Sequence, residues 1–167
     1  MESVGLNKKK TFDNLELDRS DLAVMASKAI IEQPFSRMYN PLFLHGDSEA
    51  TRTHLLHALG NEFARLYPKK AVLFTTGKKL LADLKKLSPT ECFKKYHSYS
   101  VMLIDGVDAI VVNEKCIENF VALLEKLYSR NSQIVFTAGE DEKVFQSVAR
   151  RVMRDKFAMG MMVGIRG

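Results

Sequence analysis

Leu42-Phe43-Leu44-His45-Gly46-Asp47-Ser48-Glu49-Ala50-Thr51-Arg52-Thr53-His54-Leu55-Leu56 is the stretch on which the fold turns. An apolar run leads into a glycine and a polar turn. Leu55, Leu56, Leu59, Phe63 and Leu66 then recur at helical spacing. The order strand, turn, helix is that of a phosphate-binding P-loop, written G-x-x-x-x-G-K-[ST], in which backbone N–H groups and a helix N-terminus cradle phosphate oxygens. Gly46 and Thr53 hold the outer positions. Thr51 stands where the second glycine belongs, and Arg52 where the lysine belongs.

Working outward, apolar runs of about five residues alternate with helical patterns. Residues 71–75, 101–105, 133–137 and 161–165 read as four more strands. Ser20 reads as the cap of a first helix whose buried face is Leu22, Met25, Ala26, Ala29 and Ile30, stopped by Pro34. The helix after the loop is expected from about Arg52 to Leu66, closed by Pro68. A helix opens at Gly77, and Ser88-Pro89-Thr90-Glu91 starts another with a capping box. Residues 114–130 form a long amphipathic helix, with Ile117, Phe120, Val121, Leu124 and Leu127 inward, and residues 144–156 a basic one. This alternation predicts a parallel sheet covered on both faces.

The chain has 167 residues, enough for one domain, and its 46% hydrophobic and 27% charged content is that of a globular protein. No run approaches the ~20 apolar residues of a membrane span, and the first ten residues lack the apolar core of a signal peptide. A cytoplasmic protein is expected, with Cys92 and Cys116 as free thiols. The net charge of +5 permits an anionic partner without requiring one. Residues 1–10 read as a disordered basic lead-in.

Ligands of doubly wound sheets bind where strands end and helices begin. Gly46 and Asp105 mark two such ends. Thr53 is placed to hold magnesium, Asp105 to orient it, and Thr137 is a polar strand end beside them. The plainer alternative is that Arg52, Thr53 and Asp105 only cap helices and turns.

Several segments resemble the AAA+ domain of the bacterial replication initiator DnaA family and its shorter paralogues of the Hda type. They are Thr11-Phe12-Asp13-Asn14, Tyr39-Asn40-Pro41 with the strand that follows, Thr53-His54-Leu55-Leu56-His57-Ala58-Leu59-Gly60-Asn61, Phe93-Lys94-Lys95-Tyr96 before the strand ending in Asp105, Gln133-Ile134-Val135, and Asp155-Lys156-Phe157 with Gly160. The likeness covers residues 11–165. It implies a three-layer αβα P-loop NTPase (AAA+) fold with a mostly parallel five-stranded sheet. Residues 11–167 then form the DnaA-like domain, without the helical lid or the helix-turn-helix that reads duplex DNA.

Departures from the family pattern concentrate in its chemistry. Thr51 replaces a glycine, Asp47 and Glu49 place carboxylates in an anion cradle, and Arg52 replaces lysine, as it also does in Hda-type paralogues. Gly106 replaces a second acid after Asp105, Gly139 an acid of the sensor region, and Lys156 the finger arginine. We therefore expect no meaningful ATPase activity and no required cofactor. Gly46, Thr51, Arg52, Thr53, Asp105 and Thr137 are a vestigial nucleotide site, and Thr53 and Asp105 are magnesium ligands only if a nucleotide binds.

The expected function is that of a regulatory or adaptor module in replication initiation, with DnaA or another initiation AAA+ protein as partner. The alternatives are an ATP- or ADP-binding switch and an accessory single-stranded DNA binder. Arg150, Arg151, Arg154 and Lys156 are the expected partner-facing patch. Lys78, Lys79, Lys85 and Lys86 lie where DnaA carries an insertion that touches single-stranded DNA. For both groups the alternative is a solvated basic face.

Overall fold

The computed structural model describes residues 2–154, 156–157 and 160–166. In chain order the elements are α1 (Leu22–Glu32), β1 (Leu42–His45), α2 (Glu49–Leu66), β2 (Val72–Thr76), α3 (Gly77–Lys86), α4 (Pro89–Tyr96) and β3 (Val101–Asp105). Then come α5 (Asp108–Val111), α6 (Glu114–Ser129), β4 (Gln133–Ala138), α7 (Glu142–Ser147), a π-helical turn (Val148–Arg154) and β5 (Met161–Gly164). The strands form one sheet in the order β2-β3-β4-β1-β5. Every pairing among them is parallel, so the sheet is wholly rather than mostly parallel.

Alternation along the strands divides the core in two. Phe43, Met102, Ile104, Ile134 and Phe136 face α3 to α7. Leu42, Leu44, Val101, Leu103 and Val135 face α1 and α2. Buried on both sides, the strands need continuous apolar runs, which is the pattern the sequence carries.

Four expectations are corrected. The lead-in is ordered over residues 2–10. Val4 bridges Leu73 in parallel, its N–H donating to the Val72 carbonyl (2.9 Å) and its carbonyl accepting from Phe74 (2.8 Å). Asn7 N–H donates to His57 Nδ1 (3.0 Å), and Asn61 donates to the carbonyls of Asn7 and Lys10. Three basic side chains masked the anchoring residues Val4, Leu6 and Asn7.

The second correction is α1, which is capped by Asp21 rather than Ser20 and is rotated on its axis. It buries Ala23, Val24, Ala26, Ser27, Ile30 and Ile31, leaving Leu22 and Met25 more than half exposed. Third, the basic helix at 144–156 is a short α-helix from Glu142 that loosens into the π-helical turn. Fourth, α5 has no counterpart in the sequence reading. The expected finger segment includes Asp155, which lies outside the described residues.

Candidate functional site

β1 ends at His45 and α2 begins at Glu49, so the loop between them is Gly46-Asp47-Ser48 alone. The helix starts three residues earlier than expected because Ser48 caps it. Its Oγ accepts from the Thr51 N–H (3.2 Å) and from the Thr51 hydroxyl (3.0 Å), while its carbonyl takes the Arg52 N–H (3.0 Å). Thr51 is thus a first-turn helical residue, and the N–H groups of Thr51 and Arg52 are spent within the helix start.

Arg52 is buried at 8% exposure. Its Nη1 donates back to the Gly46 carbonyl, closing the loop on itself, while its Nε has no partner. Behind it, Thr53 donates to Asp105 Oδ2 (2.6 Å). Thr137 donates to Asp105 Oδ1 (2.8 Å) and accepts the Gly106 N–H (2.9 Å). One carboxylate therefore ties α2, β3 and β4 together. The structure brings Gly46, Arg52, Thr53, Asp105 and Thr137 into one place.

A cleft of about 370 Å³ opens over these groups, lined by Glu49, Arg52, Lys78, Asp105, Gly106 and Asp108. Sequence reasoning missed Asp108. It begins α5, and its Oδ2 accepts the Gly139 N–H (3.1 Å). A Cβ at position 139 would lie 3.4 Å from that oxygen, so Asp108 fills the ground an acid at 139 would claim. An acid three residues beyond a strand-terminal aspartate was the available signal. Gly106 has φ +74°, and its carbonyl lies where a Cβ on Gly77 would be, at 2.0 Å. The glycine pair lets the β3 exit and the start of α3 pass at backbone contact, in a conformation that an aspartate disfavours.

With this geometry in place, the comparisons with known proteins are decisive. Residues 6–164 match the bacterial DnaA ATPase domain. The chain belongs to the bacterial DnaA ATPase-domain family. It is 30% identical over 165 residues to the chromosomal replication initiator protein DnaA of Deinococcus radiodurans, covering 96% of this chain and 35% of that protein. It therefore spans about a third of the length of such relatives. Among solved structures, AMPPCP-bound DnaA from Aquifex aeolicus superposes with a TM-score of 0.76 at 28% identity, covering 96% of this chain and 51% of that one. A replication initiator DnaA bound to AMPPCP and single-stranded DNA gives 0.77 at 27% identity, covering 97% and 51%.

The chain is thus a DnaA-type AAA+ domain related to replication initiators, with the three-layer αβα fold. No helix among its described residues is long and apolar enough to cross a membrane.

Other residues anticipated from the DnaA resemblance are dispersed. Of the basic patch, Arg151 is engaged by Glu114 (2.9 Å) and Glu118 (3.1 Å) of α6. Arg150, Arg154 and Lys156 are exposed, with no ion pair among the described residues. The α3 lysines divide: Lys78 lines the cleft beside Asp105, while Lys85 and Lys86 lie at the far end of that helix. Lys95 is neutralised by Asp83 (2.7 Å), which also accepts the Tyr96 hydroxyl. Burial, together with that hydrogen bond, pushes the Tyr96 phenol well above its usual range. His57 stacks on Phe74 at 3.8 Å, and burial holds its imidazole below the usual range; the charges of Lys10 and His54 act the same way and that of Asp105 opposes them. His45 is held by Glu140 (2.8 Å) against Phe145.

Proposed function

We propose that this domain is a non-catalytic DnaA-like module that regulates or adapts replication initiation through protein–protein contacts. The observation that carries the proposal is the state of the loop: Arg52 folds onto the Gly46 carbonyl where a lysine would reach outward to phosphate, and Ser48 closes the helix start. Asp47 and Glu49 are exposed at the same mouth and repel an approaching triphosphate. With Gly106 at φ +74° after Asp105, the position of a second acid is shaped for a glycine. These features do not suit Mg-ATP, and no step is routed through it.

A DnaA-type AAA+ protein is the proposed partner, docked through the exposed Arg150, Arg154 and Lys156. The test is a pull-down with the host's own initiator, alongside thermal unfolding with millimolar ATP and magnesium. The expected result is recovery of the initiator, weakened by charge reversal at Arg150 and Arg154, with no nucleotide-induced shift. Recovery of no replication protein refutes the adaptor.

One observation favours a second reading, a switch that binds ATP or ADP without turnover. The Thr53–Asp105 pair is in hydrogen-bond contact beside the cleft, as a magnesium site would need. A magnesium-dependent rise in unfolding temperature without hydrolysis is its signature.

A further inference from the structure

The opposite pole of the sheet, where the strands begin, carries a second cleft, of about 210 Å³. It is built from the connections that precede β1, β2, β3 and β4: Phe35, Lys70, the His97–Ser98 turn, Arg130 and Asn131. No carboxylate lines it. Both non-glycine residues of the described chain with left-handed backbone, Phe35 (φ +65°) and Asn131 (φ +63°), sit in this wall. Asparagine tolerates that conformation, whereas for phenylalanine it is an outlier held by its surroundings.

The cations around the cleft are placed by aromatic faces rather than by acids. Lys70 Nζ lies 5.7 Å from the Phe35 ring, and Arg37 lies 4.2 Å from the Tyr128 ring. Lys126 and Arg130 lie 6.0 and 5.8 Å from Phe93. Arg37 also donates to Asn131 Oδ1 (3.1 Å), which leaves the Asn131 amide N–H groups to point elsewhere. Among the described residues none of Arg37, Lys70, Lys126 or Arg130 has a carboxylate within ion-pair distance. A cation–π contact orients a cation without cancelling its charge. Four oriented, uncompensated cations around an acid-free cleft form an oxyanion receptor. Beside them His97 is exposed and stacked on Phe93, with ring centroids 5.4 Å apart, which gives a flat platform next to the charge.

We propose that this pole binds the phosphodiester backbone of a single-stranded nucleic acid. Arg37, Lys70, Lys126 and Arg130 track the phosphates, and His97 takes a base on its outer face. Alternation of charge with stackable rings is the pattern strands use; an acidic peptide would leave the His97–Phe93 stack without a role. The site is separate from the α3 lysines and from the adaptor surface, and it stands whether or not the domain docks on an initiator.

Fluorescence anisotropy with labelled oligo-dT tests it. Four phosphate contacts on a single strand give a salt slope of about −2.8, so affinity falls about 50-fold over a fourfold rise in salt. Lys70→Glu/Arg130→Glu reduces that fall to about sevenfold, and His97→Ala weakens binding about tenfold. The charge-matched Lys9→Glu/Lys143→Glu keeps the parent slope. If the first double variant does not melt like the parent, Lys70→Gln/Arg130→Gln supplies the same slope. The proposal is overturned if oligo-dT does not bind at low salt, if the charge-matched variant loses as much, or if a poly-glutamate peptide of equal charge displaces the strand as well as unlabelled oligo-dT does.

Discussion

The Thr53–Asp105 bond is where a structural brace and a magnesium site make opposite predictions. At 2.6 Å it joins a hydroxyl to a carboxylate, and Thr137 holds the other oxygen at 2.8 Å. A hydrogen bond to a charged group contributes about 1.5–3 kcal/mol. If the carboxylate is a brace, that energy is present in the bare protein. Asp105→Ala, Thr53→Val and the double variant form a cycle whose coupling energy isolates the pair. The expected coupling is about 1.5–3 kcal/mol, with Thr53→Val alone lowering the unfolding temperature by about 3–12 °C for a domain of this size. Urea unfolding followed by far-ultraviolet circular dichroism reads all four proteins, with m-values checked for constancy. The same coupling is expected with millimolar Mg-ATP present. A coupling below about 0.5 kcal/mol in the bare protein, within the range of simple additivity, refutes the brace. A coupling that changes sharply on adding Mg-ATP shows that the pair answers to nucleotide.

Three other outcomes follow from the structure. Restoring the acid with Gly106→Asp is expected to cost about 1–2 kcal/mol, because φ is +74° there, and to raise no hydrolysis; a gain of magnesium-dependent phosphate release overturns this. Gly60→Ala sets a methyl 2.5 Å from Leu6 Cδ2 and 2.8 Å from Leu103 Cδ1; it should destabilise by about 1–3 kcal/mol and make residues 2–10 a preferred site of limited proteolysis. Burial lowers the His57 pKa on folding, so the unfolded chain binds the extra proton. Its stabilisation is complete above the unfolded value of about 6.5 and fades as pH falls toward the depressed folded value, with a slope of up to about 1.4 kcal/mol per pH unit. Urea unfolding across that window should show this slope, flattened in His57→Asn.

Much of the fold was legible because β1 to β4 are buried on both faces, and a doubly buried strand must be an uninterrupted apolar run. Where one side chain decides an element, legibility fails. Ser48 outcompetes the loop pattern because its hydroxyl can cap, and a motif template gives that hydroxyl no weight. The phase of α1 was misread because Ala23, Ser27 and Ala26 pack closely enough to be core, while the larger Leu22 and Met25 remain outside. The candidate site was legible as a set: Gly46, Thr53, Asp105 and Thr137 were each placed by strand ends. Asp108 was not, because α5 is a single turn with no period to detect. The direction of Arg52, inward to Gly46, is tertiary information that no spacing carries.

The short bridge between Val4 and Leu73 makes the two rims of the sheet unequal. β2 has its outer hydrogen-bonding row partly covered by the chain's own beginning, whereas β5, bordered by Met161 and Met162, has no neighbouring strand among the described residues. A sheet open at both rims can add copies head to tail without limit; one open at a single rim can join only like to like. Any strand-to-strand association through β5 is then symmetric and ends at two chains. The first few residues, pinned by Asn7 to His57, act as a stopper against growth of the sheet into a fibre.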